Sequence, residues 1–218
     1  MSATTETLRR GVLPPVAETV VVSPIFSLQE RVLPTYPTLR FYPNGLIDLE
    51  PDMDNFSESQ VLGSEYQDIA MKAVDGDLAE GSVALGAHLL DAAILGTDIA
   101  KIGRPDVMVF KHGPVLDKMF EFKRSWHSEL EEKQLKKKLE RISSLLEILR
   151  ANPMLLGELI NRVARQEILC PISIPPDDKL EPVVFISSSP WNRTEVLSAD
   201  TTALKGSFRM VPLPNIAA

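Results

Sequence analysis

Apolar positions along the chain fall into two textures that change over near residue 60. Before that point, prolines at 14, 15, 24, 34, 37, 43 and 51 interrupt short β-prone pieces such as Glu18-Thr19-Val20-Val21-Val22. Tyr42-Pro43-Asn44-Gly45 carries a turn signal, so the pattern predicts an extended arm with one or two short strands and a hairpin around Asn44-Gly45. From Ser64 the spacing becomes helical. One short helix is predicted over 64–74, ended by Asp75-Gly76-Asp77, and a second over 78–95. Val83, Leu85, Leu89, Leu90, Ala93 and Ile94 give the second a broad apolar face, and Gly96 stops it. Short apolar runs then predict strands over 99–102, 106–110 and 115–123, with Lys111-His112-Gly113-Pro114 closing a hairpin between the last two. A long amphipathic helix follows. Ser128 and Glu131 form a capping box at its start, and Leu130, Leu135, Leu139, Ile142, Leu145, Leu146 and Leu149 form its stripe. Asn152-Pro153 breaks it, 154–165 resumes as helix, and 182–187 is the last strong strand. The remaining tail predicts loop and a short edge strand around 208–211. This order predicts an α/β protein, a small mixed central sheet flanked by helices. It divides into an extended Pro-rich N-terminal arm (1–63), a core (64–190) and a C-terminal tail (191–218).

Composition narrows the class. The 218 residues are 44% apolar and 24% charged, the balance of a soluble globular chain large enough for one full core. No apolar run approaches the roughly 18 residues of a membrane span, and the N-terminus lacks the pattern of a secretory signal, so no membrane partner and a cytoplasmic location are expected. The single cysteine, Cys170, excludes an internal disulfide and any multi-thiolate metal or iron-sulfur site within one chain. With a net charge of −7, contact with phosphate must come from a local patch. Lys133, Lys136, Lys137, Lys138 and Arg141 form one, with Lys123 and Arg124 upstream; balanced by Glu129, Glu131, Glu132 and Glu140, the same stretch also reads as a solvated helix face.

The candidate chemistry lies in Gly103-Arg104-Pro105-Asp106-Val107-Met108-Val109-Phe110 and Met119-Phe120-Glu121-Phe122-Lys123. Side chains alternate along a strand, so Asp106, Met108 and Phe110 share one side, Met119, Glu121 and Lys123 share one side, and Phe120 and Phe122 point into the core. If the strands pair across Gly113-Pro114, two carboxylates and an ammonium meet at the end of a sheet. Two carboxylates suit a hard cation such as Mg²⁺, and the lysine suits the attacking water or the developing charge of a phosphoryl transition state. Taken singly, Asp106 also reads as a strand-initiating turn residue, and Glu121 with Lys123 as a same-face surface pair. His88 reads as a core or helix-edge histidine, His112 and His127 as solvated, and Trp126 and Trp191 as packing or base-stacking residues. No Ser-His-Asp order, phosphate-cradling glycine loop or H-E-x-x-H is present.

Pro105-Asp106, a hairpin, and Glu121-Phe122-Lys123, within the order helix, three strands, helix, strand, resemble the signature and core of the PD-(D/E)XK nuclease superfamily, the restriction-endonuclease-like fold. The resemblance covers 78–188. It implies Asp106, Glu121 and Lys123 as catalytic residues. Mg²⁺ or Mn²⁺ would be held by Asp106, Glu121 and the backbone carbonyl of Phe122. Many members add a helix glutamate, for which Glu80, and more remotely Glu65, are the candidates. One subgroup has a glutamine and then a tyrosine on the following helix; Gln134 suits the first place and no tyrosine follows. The implied activity is metal-dependent (endo)nuclease hydrolysis of phosphodiester bonds, with DNA the first candidate substrate, gripped by Arg124, Lys133, Gln134 and Lys137. A homodimer and a protein partner for the N-terminal arm stay open. The alternative is a catalytically inactive nuclease-like domain acting as a binding or assembly module, which the net charge favours. In an unrelated domain with an accidental motif, Asp106 and Glu121 would lie far apart.

Overall fold

A computed structural model describes residues 38–50, 58–95, 97, 99, 102–124, 129–169, 171–188 and 204–211. The capping box at Ser128, together with Trp126, His127, Cys170, Trp191, Gly96 and the arm before residue 38, lies outside them. The fold is α/β: a seven-stranded mixed sheet of described residues with helices on both faces. Its strands, in spatial as well as chain order, are β1 (Leu39–Phe41), β2 (Leu46–Leu49), β3 (Val83–Leu85), β4 (Val107–Lys111), β5 (Val115–Lys123), β6 (Val183–Ser187) and β7 (Gly206–Met210). Pairing is antiparallel for β1–β2, β3–β4 and β4–β5 and parallel for β2–β3, β5–β6 and β6–β7. In consequence β2, β3, β5, β6 and β7 all end on the same edge of the sheet, the edge from which β4 starts.

Helix α1 (Glu58–Gly76) covers one face, burying Tyr66, Ala70 and Val74, each one turn apart, on Val107, Val109, Phe120, Phe122 and Ile186. On the other face lie α2 (Ala87–Ile94), α3 (Glu129–Ala151) and α4 (Leu155–Ala164), over a core holding Leu85, Met108, Phe110, Met119 and Phe185. The α3 stripe Leu135, Leu139, Ile142, Leu145, Leu146 and Leu149 is buried as the periodicity predicts. No helix among the described residues is long and apolar enough to cross a membrane.

Two expectations are corrected. The helix over 78–95 is instead a turn, strand β3 and the shorter α2. Gly86 divides the two: a Cβ there would lie 2.5 Å from Asp48 Cγ, an approach only glycine permits. Of the strand expected over 99–102, the described residues Ile99 and Ile102 lie in turns, Ile99 buried, and β3 supplies the strand that pairs with β4. Both errors share a cause, since a three-residue apolar run has no period with which to declare itself. The hairpin at Asn44-Gly45 forms as expected, yet it belongs to the central sheet through β2 and β3, and the boundary at residue 63 falls inside α1. The edge strand of the tail forms as β7.

Asp48 anchors the start of α2. It is 2% exposed; Oδ1 accepts the Leu89 N–H at 2.8 Å and Oδ2 lies 2.8 Å from His88 Nδ1. His88 is thus a satisfied helix-edge histidine. Asp48→Ala strips both donors of a buried acceptor, and chemical denaturation is expected to show a loss of about 2 kcal/mol at unchanged m-value.

Candidate active site

The carboxyl ends of β3 and β5 and the start of β4 bring the sequence-predicted residues to one edge. The Asp106 N–H donates to the Phe120 carbonyl at 2.9 Å, which extends the Val107↔Phe120 register by one residue. Asp106 therefore stands opposite Glu121 on the neighbouring strand, where side chains leave the backbone about 5 Å apart. The Phe122 N–H donates to Asp106 Oδ2 at 2.6 Å, so the aspartate also closes the ladder at the strand end. Phe120 and Phe122 point away, into the core under α1.

Glu121 is 1% exposed. Its Oε1 lies 3.3 Å from Lys123 Nζ and its Oε2 3.0 Å from Lys138 Nζ. Oε2 is fully buried, without an aligned hydrogen bond, and its contact is the Lys138 ammonium. Burial pushes the Glu121 carboxyl up to about 7, and the charge of Asp106 adds to the rise, against the pull of Lys138 and Lys123. Tyr66, on α1, donates its hydroxyl to the Ile186 carbonyl at 2.9 Å; burial first, and then the charge of Asp106, push its phenol upward. Arg104 pairs with Asp91 on α2 and reaches Asp106 Oδ1 at 3.5 Å.

The remaining predicted residues divide. Lys123 ends β5 and is partly exposed, and Arg124 follows it, exposed. Lys133, Gln134 and Lys137 are exposed in the first half of α3, the half whose Lys138 meets Glu121. Lys133, Lys137 and Arg141 repeat every four residues as one column, with Gln134 and Lys138 in the next. Glu80 is not brought to the pair. It precedes β3, whose first residue, Val83, pairs with Phe110 at the hairpin end of β4, opposite the edge that carries Asp106. Glu65 is exposed on α1 and lines a groove of about 240 Å³ with Arg40, Tyr42 and His88. The sequence places Lys138 only in the basic patch, not beside the acids, and gives Arg104 no role in the site. The four-residue step from Gln134 to Lys138 was the available signal for the lysine, whereas Arg104 gave none beyond its closeness to Asp106.

No protein-family model, curated protein or solved structure matches the chain. What the site can do therefore rests on its own chemistry. Among the described residues no set of three His, Cys, Asp or Glu side chains is gathered as a metal cage. A pair of carboxylates with the remainder left to water and phosphate is, however, a common Mg²⁺ arrangement. The donor set fits such an ion: Asp106 and Glu121 are adjacent, and the buried Oε2 lacks a hydrogen-bonded partner.

Proposed function

We propose that the chain is a metal-dependent nuclease that hydrolyses phosphodiester bonds in nucleic acid, DNA before RNA. The observation that carries this reading is Glu121: a carboxylate buried beside a second carboxylate, with one oxygen lacking an aligned donor and two lysines drawn to it. A chain gains no stability from such a grouping, because desolvating the acid costs more than exposed partners return. Functional sites are where such costs are tolerated. The order α1, β3, β4, β5, α3, β6, with α2 inserted, supports a restriction-endonuclease-like core.

In this reading Asp106, Glu121 and the Phe122 carbonyl would hold Mg²⁺ or Mn²⁺, which when bound supplies an activated water and a polarised phosphate. The chain's own groups do the rest. Asp106 is fixed by the Phe122 N–H, so its other oxygen, Oδ1, is aimed without rotamer search. Lys123 Nζ, steadied by Glu121 Oε1, orients the attacking water and balances charge on the phosphate. Arg124, Lys133, Gln134 and Lys137, all exposed, would grip the flanking backbone. The test is cleavage of labelled duplex, single-stranded and branched DNA and of RNA with Mg²⁺ or Mn²⁺. Metal-dependent cutting is expected, and no cutting of any substrate would overturn it. If the α3 column grips phosphate, Lys133→Met/Lys137→Met lowers the slope of log affinity against log salt by roughly 1.5 to 2, measured by fluorescence anisotropy.

A second reading has its own observation. Each acid already meets cations of the chain, Lys123 and Lys138 at Glu121 and Arg104 at Asp106. A binding or assembly module with the same core would keep these pairs permanently and show no Mn²⁺ binding by calorimetry.

A further inference from the structure

Glu121 is approached by ammonium groups from two different elements, and the two are not equivalent. Lys123 sits two residues away on the same strand and serves Oε1; Lys138 comes from α3 and serves Oε2. We propose that Lys138 is a displaceable internal cation: it holds Glu121 in the metal-free protein, yields Oε2 to the divalent ion, and then binds the phosphate backbone of the substrate. The inference rests on the nuclease reading and assigns a second lysine to the site.

A carboxylate as buried as Glu121 stays ionised only with a cation beside it. In the metal-free protein two lysines provide this. A divalent ion held by the same carboxylate would place three cations on one group, and the cation standing on the oxygen that the ion takes must leave. Oε2 is buried without an aligned hydrogen bond, so it can take the ion, and Lys138 is the cation standing on it. Its side chain is about one quarter exposed, so its flexible stem has a route outward. The outward route runs along α3 beside exposed Gln134, Lys137 and Arg141. Arg141 in turn packs near Gly103, whose Cβ position would lie 3.2 Å from Arg141 Cδ, just before Arg104 and Asp106. An ammonium leaving Oε2 therefore enters solvent beside Lys137 and Arg141, where a backbone phosphate would give all three an anionic partner.

Exchange of this kind predicts opposite effects of one substitution on two ligands. Lys138→Met is expected to bind Mn²⁺ about two- to fivefold more tightly by calorimetry, because its competitor is gone. The same variant is expected to bind a short phosphorothioate DNA in Mn²⁺ more weakly by a similar factor, and Lys138→Arg to restore the DNA affinity. Lys133→Met, which removes a charge from the same half of α3 away from Glu121, should weaken DNA binding and leave Mn²⁺ unchanged. Equal or weaker Mn²⁺ binding by Lys138→Met, or the same split in Lys133→Met, overturns the proposal. Should Lys138→Met fail to fold, the wild-type protein serves: after reductive ¹³C-methylation, the Lys138 resonance must shift on adding Mg²⁺ alone, and a resonance that does not move overturns exchange. Metal-dependent cleavage with unaltered Mn²⁺ affinity in Lys138→Met sinks this inference alone. Failure of the wild type to bind Mn²⁺ sinks it together with the nuclease reading.

Discussion

Lys123→Ala and Asp106→Asn are each expected to lower metal-dependent cleavage by about 10²- to 10⁴-fold, the range over which a positioned proton-transfer or charge-stabilising group acts. The two substitutions are chosen so that the fold survives. Lys123 is partly exposed at the end of β5, and its removal takes a partner only from Glu121, whose other oxygen, Oε2, keeps Lys138. Asn at 106 keeps an oxygen that can accept the Phe122 N–H, and so retains the closure of the β4–β5 ladder while losing the charge. Single-turnover cleavage with enzyme in excess separates chemistry from binding. Thermal midpoints close to wild type, with cleavage gone, would tie the activity to these atoms. Full activity in either variant would remove the acid–lysine cluster from the reaction and leave any observed cutting to be explained elsewhere.

The parts of the fold that were legible in the sequence are those with enough length to show a period. The α3 stripe from Leu135 to Leu149 covers four turns, and the nine residues of β5 place Phe120 and Phe122 on one face against Met119 and Glu121 on the other. β3 has three residues and was absorbed into a helix, because Val83 and Leu85 are compatible with either period. The candidate site was legible for a different reason: Glu121 stands inside an apolar strand, where a charge has a cost that only partners or function offset. Those partners were legible only in part. Lys138 lies seventeen residues beyond Glu121 on another element, and only the docking of α3 shows which of the adjacent lysines turns inward. The Asp48–His88 contact joins residues forty apart and depends on Gly86 lacking a Cβ, a tertiary fact that no local pattern contains.

Glu121→Gln is expected to stabilise the metal-free protein while abolishing its metal chemistry. The carboxyl rises from 4.5 to about 7 on folding, chiefly by burial, with Asp106 facing it as a like charge and Lys138 and Lys123 as opposing ones. A folded carboxyl with a raised value holds a proton that the unfolded chain has already released. Its contribution to stability is therefore fully present below about pH 4.5 and is lost as the pH climbs through 7. The rise corresponds to roughly 3 kcal/mol. Glutamine has the same shape and no proton to lose, and Lys138, partly exposed, can turn its ammonium to water. Denaturation at pH 5 should find wild type and variant close together; at pH 8, without metal, the variant should be more stable by an amount of that order. Saturating Mn²⁺ should then close the gap by stabilising the wild type alone, since an ion that binds only the folded state adds its binding free energy to stability. Parallel pH curves for the two proteins would mean that Glu121 is ionised at little cost and that its burial is fully compensated by the lysines. A gap that opens with pH and closes with Mn²⁺ would identify the ion as the partner for which the buried carboxylate is kept.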